Sequence, residues 1–280
     1  MSRREKIRKN ERFRRKYEKL FYDRILKALV SQVKSFTSDI KSSGFAVAQS
    51  RMQTTLINAN IGPVIQRLYL VAGKAKAGEV YQRLRKESRQ QKNMGFNATW
   101  TQQILDYFGL FLMDKVVVPI TATTRKMIED KIAVMIQEGR SIEWLVQQVE
   151  TSQFLAWRAR MIARTESNRA INFGANMGAQ QTGFATWKEW VAVHDNRTRH
   201  SHLELDTQKI DMNAEFLPGL AYPGDPNGAP DQTINCRCHL EYSIKRDANG
   251  KPIMGAGRTY TVSRRQSRTA QRLINMLNNQ

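Results

Sequence analysis

All four histidines and both cysteines of this 280-residue sequence fall between positions 194 and 239: His194, His200, His202, Cys236, Cys238 and His239. Thiolates and imidazoles are the ligands that soft metals select, and zinc takes four of them tetrahedrally. Cys236 and Cys238 are two apart, so on a strand their side chains face the same side. A disulfide between them would be strained, and two cysteines in such a length fit a reducing compartment. They can offer two thiolates to one structural zinc, with His202 as the third ligand and Asp195 or His200 as the fourth. Such an ion would pin the long polar stretch 194–233. The competing reading is a pair of small buried cysteines on a core strand, because zinc cysteines are usually spaced two to four residues apart.

Two other groupings carry polar chemistry. Arg160, Arg164 and Asn168 recur every fourth residue, and Glu166 can pair with Arg169 one turn on. A catalytic Arg/Glu pair is one use of such a stripe; the other is tying a helix to an irregular loop. The second is favoured, since no nucleotide-binding glycine loop or activated nucleophile accompanies it. His194-Asp195 and His200 to His202, with Glu204, Asp206 and Asp211 nearby, leave open a metal-dependent nuclease. No phosphate-binding loop and no nucleophile elbow is present.

These residues must be positioned by the elements around them. Residues 1–150 read as almost all helix. Apolar residues from Phe13 to Ile40 are spaced by three and four, which predicts one long amphipathic helix ended at Gly44. Shorter helices are predicted at 46–60, 62–72 and 75–92, then at 99–118 and 121–138, divided by Pro119. Gly139 suits a helix end and Ser141 an N-cap for Ile142 to Val149. A second long helix runs from about Ser152 to Gln181, closed by Gly183. Strand patterns follow at 187–193 and at Ile234 to Ile244. The fold class is therefore α+β.

The chain holds 45 Lys plus Arg against 25 Asp plus Glu, a net charge of +20, which favours a polyanionic neighbour such as double-stranded DNA. Ten basic residues lie within 2–19 and five within 256–280. Both ends read as basic arms, either solvated tails or nucleic-acid contacts through Arg3, Arg4, Arg8, Arg12, Arg264, Arg265 and Arg268. Pro252, Gly255 and Gly257 suggest a flexible start to the second arm, and Ala270 to Leu277 a short helix within it. No apolar run is long enough to span a membrane, and no apolar core of a secretory signal follows the basic N-terminus.

Four blocks then stand in order: Arg164-Thr165-Glu166; Asp195-Asn-Arg-Thr-Arg199-His-Ser-His202; Tyr222-Pro-Gly-Asp225; and Asn235-Cys-Arg-Cys238. Together they resemble the Mu F-like head morphogenesis (minor capsid) proteins of tailed bacteriophages, over about 151–244. The family often has a glycine after the histidine segment, where this chain has Leu205-Asp206-Thr207. The resemblance implies three parts: a helical region 1–150, a small α+β domain 151–244 and a basic tail 245–280. It implies a non-enzymatic virion component acting in head assembly and DNA packaging or ejection. Its partners would be the portal protein at the portal vertex, with the major capsid or scaffold protein, and packaged DNA. Arg164, Thr165, Glu166 and Asn235 would be structural. The alternatives are a nuclease or nucleotide-using transferase working through Arg164, Glu166, Asp195 and His202, and a sequence-independent DNA-binding protein.

Overall fold

A computed structural model describes residues 2–58, 61–88 and 98–255. Helix α1 spans Arg3–Ser43 and ends at Gly44, whose φ of 82° suits glycine. It begins well before the predicted Phe13. A capping box starts it: the Glu5 N–H donates to Ser2 Oγ (3.3 Å) and the Ser2 N–H to Glu5 Oε2 (2.7 Å). The first basic segment is thus helix rather than a tail. Its seam, Tyr17, Phe21, Ile25, Leu29, Val33, Phe36 and Ile40, is buried.

Helices α2 (Phe45–Asn58), α3 (Gly62–Leu68) and α4 (Lys74–Glu87) follow, α3 and α4 being joined without a break by a π-helical segment, Tyr69–Gly73. Helix α5 (Ala98–Tyr107) likewise runs through a π-helical segment, Phe108–Val117, into α6 (Val118–Gln137). The expected division at Pro119 is absent. Proline lacks the N–H for an i−4 bond and crowds the carbonyl four residues back, and the wider π turn just before it relieves that conflict. The Ile120 carbonyl next to it accepts from Thr124 Oγ1 (3.1 Å) and Arg158 Nη2 (2.7 Å). Gly139, at φ 63°, and Ser141, which accepts from the Trp144 N–H at 3.2 Å, separate α6 from α7 (Ile142–Glu150) as expected.

Helix α8 (Ser152–Gln180) is the axis of the molecule, and α1, α4 and the sheet pack around it. It crosses α4 so closely that a Cβ on Gly174 would lie 2.0 Å from the Gly73 carbonyl oxygen, and one on Gly178 2.3 Å from that of Ala77. The sheet is antiparallel, ordered β2-β1-β3, from β1 (Thr186–Val191), β2 (Lys209–Asp211) and β3 (His239–Ile244). Trp190 faces Leu240 and Val191 faces His239 across β1 and β3. Two corrections apply. Strand β2 has no period-2 signal long enough to read. The last strand begins at His239, because Ile234 and Asn235 form a turn with Asn235 at φ 59°. Short helices α9 (His200–Glu204) and α10 (Pro230–Thr233) interrupt the polar stretch.

Residues 245–255 form a hairpin rather than a flexible start to a tail. The Ala185 N–H donates to Ile253 O and the Gly255 N–H to Gly183 O, both at 2.9 Å. Arg264, Arg265, Arg268 and the Ala270 to Leu277 helix lie outside the described residues. Buried apolar side chains from Tyr17 to Ile244 join in one cluster that runs across Thr151, where the expected boundary falls.

Candidate metal centre

Helix α9 lifts His202 over the turn that leads into β3. Its Nδ1 lies 3.6 Å from Cys236 Sγ and 3.6 Å from Cys238 Sγ. All three side chains are buried, and their ligand atoms lie within 4.8 Å of one another. With Zn–S of about 2.3 Å and Zn–N of about 2.05 Å, a tetrahedral ion sets S and N about 3.6 Å apart. The trio fits that geometry. The two thiols also interact directly. Hydrogen bonding between them pushes the Cys236 thiol down and the Cys238 thiol well up, so one proton is held by the pair. The ring of Trp190 stands edge-on to His202 at 5.1 Å and shields this side from water.

The expected fourth ligands are not brought to this group. Asp195 is taken by Arg237, whose Nη1 and Nη2 both donate to its carboxylate at 2.5 Å. Hydrogen bonding from Arg237 is the main reason the Asp195 carboxyl is held far below the usual carboxylate range. His200 is exposed and faces Glu204 at 3.3 Å. His194 Nε2 meets Asp206 Oδ2 at 2.8 Å. His239 points elsewhere: it is buried, forms no hydrogen bond among the described residues, and burial drags its pKa down to about 3.

The other motif residues join distant parts of the chain. Thr165 Oγ1 accepts from the Asn235 N–H (3.0 Å), holding the left-handed turn before Cys236. Asn168 and Asn172, one turn apart on α8, both donate to the Cys238 carbonyl, at 3.2 and 3.1 Å. Arg169 Nε donates to Gly224 O (2.6 Å), and its Nη1 to Glu166 Oε1 (2.7 Å). Glu166 also accepts from the Tyr69 hydroxyl at 3.3 Å. Burial raises its carboxyl even with Arg169 beside it. Arg164 reaches Glu18 of α1 at 3.3 Å. Asn168, Asn172 and Arg237 were not singled out from sequence; the one available signal was the four-residue spacing of the two asparagines.

The departure at Thr207 keeps its turn. Thr207 adopts φ 70°, the left-handed conformation a glycine would take, and its N–H donates to Trp190 O at 3.0 Å. Asp206 beside it accepts from the Ala192 N–H (2.7 Å), from His194 and from Arg3 of α1. Arg3 also meets Glu189 at 2.9 Å, so its charge is engaged inside the fold. Arg4, Arg8 and Arg12 stay exposed along one side of α1.

Residues 126–241 match the family described as Phage Mu protein F like protein, which bears out the resemblance read from the four blocks. The match begins upstream of residue 151 and takes in the end of α6 and all of α7. Over 121 residues the chain is 35% identical to Minor head protein GP7 of Bacillus phage SPP1, covering 40% of this chain and 39% of that one. Over 110 residues it is 34% identical to the NAD(+)--arginine ADP-ribosyltransferase EFV of Enterococcus faecalis (strain ATCC 700802 / V583), covering 36% of this chain and 22% of that one. The chain thus spans well under half the length of either relative. No solved structure matches it.

Proposed function

We propose that this chain, with its Mu protein F-like segment at 126–241, is a minor head protein of a tailed bacteriophage. One observation carries the non-enzymatic part of this reading. The motif residues are spent on one another: Thr165 on Asn235, Asn168 on Cys238, Arg169 on Gly224, and Arg237 on Asp195. Glu166 is 3% exposed and paired with Arg169, so it is poorly placed to act on a substrate. Such residues hold an irregular stretch in one shape, which is what a docking component needs. The segment shared with the transferase is 22% of that protein, which suits a module joined to other domains there.

In this reading the protein is a virion component at the portal vertex, inside the head, and is made in the host cytoplasm. It binds the portal protein, beside the major capsid or scaffold protein. Arg4, Arg8 and Arg12 contact packaged double-stranded DNA during packaging or ejection. His202, Cys236 and Cys238 hold a structural zinc ion, whose remaining position is left to a donor other than Asp195. The ion would clamp α9 to the turn before β3.

The test is co-expression with the portal protein of the same genome, followed by purification at high salt. Co-elution in high salt is expected, because charge attraction alone is screened there. Release at high salt with retained DNA binding at low salt would sink the portal assignment. Turnover of DNA, RNA or nicotinamide dinucleotide that is lost in Glu166→Gln or Asp195→Asn would sink the non-enzymatic one.

A further inference from the structure

One face of α8 opens into a cavity of about 270 Å³, walled by the start of α6 and by the residues around α10. Arg158 lines it and is 3% exposed. Its Nη2 donates to Ile120 O at 2.7 Å, but its Nε is sealed from solvent with no partner. Among the described residues no carboxylate pairs with it, and burial alone pulls its pKa down to about 10. The other buried arginines, Arg14, Arg169 and Arg237, each have a carboxylate. A guanidinium taken out of water without a counter-charge is costly and calls for an anion. Glu166 is the acid lining this cavity, and Arg169 already neutralises it at 2.7 Å. Lys115 at the wall adds a further positive charge, so the cavity is net positive.

The rest of the lining is apolar, from Val116, Pro119, Ile120, Met161 and Ile162. The same stripe of α8 continues outward. Phe154 lies four residues before Arg158, and Trp157 four before Met161, so each pair shares a face. Phe154 is 37% and Trp157 58% exposed, with their rings 6.1 Å apart. Tryptophan, an aromatic neighbour and arginine around one pocket make the composition of an interface hot spot. The volume is below the usual range for a free cofactor, and it suits a single side chain or a chain terminus.

We propose that this surface docks a carboxylate-bearing, apolar segment of a protein partner. An Asp, Glu or C-terminal carboxylate enters to pair with Arg158, and an adjoining apolar side chain covers Phe154 and Trp157. The inference rests on this surface and does not need the portal assignment.

The test is selection of random displayed peptides on the full chain, counter-selected on Arg158→Met. Enriched peptides should carry an acid or a free carboxyl end beside a large apolar residue. Changing that acid to its amide, or Arg158→Met in the protein, should each weaken binding at least about tenfold, the scale of one lost charged hydrogen-bond pair. Trp157→Ala, at an exposed position that leaves circular dichroism unchanged, should weaken the same peptides, and it carries the test if Arg158→Met does not fold. The proposal is overturned by no enrichment, or by enrichment without an acid. It is overturned equally by binding indifferent to Arg158 and Trp157, by full displacement with a single-stranded oligonucleotide, or by hexanoate alone binding as tightly.

Discussion

Cys236 Sγ and Cys238 Sγ stand equally far, 3.6 Å, from a single atom, Nδ1 of His202, which arrives from 34 and 36 residues upstream. The separation matches two edges of a zinc tetrahedron. Protein refolded with zinc should therefore contain about one zinc per chain by elemental analysis, and none in the Cys236→Ser/Cys238→Ser variant. At free zinc about a thousandfold above its Kd, the ion stabilises the fold by about 4 kcal/mol, and a chelator should remove that increment. Metal-free protein with an unchanged melting temperature would leave two buried thiols and no metal site.

Thr207 is a β-branched residue at φ 70°. Relief of its crowding outweighs the added chain entropy of glycine, so Thr207→Gly should stabilise the protein by up to about 1 kcal/mol. Urea unfolding gives the sign directly. A loss of stability would mean the Thr207 side chain makes contacts worth more than the strain.

Gly174 faces the Gly73 carbonyl with room for no further atom. Gly174→Ala should force α8 and α4 apart and cost about 3 kcal/mol, despite alanine's better helix propensity of about 1 kcal/mol. Gly139→Ala, at a site with open space but φ 63°, should cost only about 1 kcal/mol. Equal costs at the two sites would contradict the close helix crossing.

Lys188 is fully buried on β1, donates to Ala221 O at 2.7 Å, and burial lowers its pKa from 10.5 to about 8. Its folded-state pKa lies below the unfolded value, so the unfolded chain binds more protons between those limits. Stability should then rise with pH above about 8, by about 1.4 kcal/mol per unit. The rise ends near pH 10, where the buried Tyr69, Tyr222 and Tyr242, whose own pKa values are raised, begin to favour the unfolded chain. Urea melts at pH 8 and 9.5 should differ by about 2 kcal/mol, and Lys188→Met should abolish the difference.

Arg4, Arg8 and Arg12 recur every fourth residue on the exposed side of α1. Replacing all three by Gln should reduce the slope of log K against log salt for duplex DNA by about 2.7, while Arg3→Gln should act through stability instead. An unchanged slope would place the DNA contact elsewhere.

Much of this molecule is determined by neighbours a few residues apart and is legible without coordinates. The three-and-four spacing of apolar residues places the body of α1 and α8, Gly139 and Ser141 place the break before α7, and alternation places β1. The order of the four blocks pointed to the Mu F-like family, and Cys236, Cys238 and His202 were grouped as one ligand set. What the sequence left open were choices of partner across long separations. Asp195 had both a metal and an arginine available, and only the folded chain brings Arg237, 42 residues on, into bidentate contact with it. The first turns of α1 lack apolar periodicity and depend on Arg3 meeting Glu189 and Asp206. The continuation through Pro119 depends on a π turn, and the need for Gly174 on a helix that passes beside it. Arg158 looked like one cation among 45, and only burial without a counter-charge singles it out. Local spacing records which face of an element is apolar, whereas desolvation and pairing are properties of the surroundings that tertiary packing supplies.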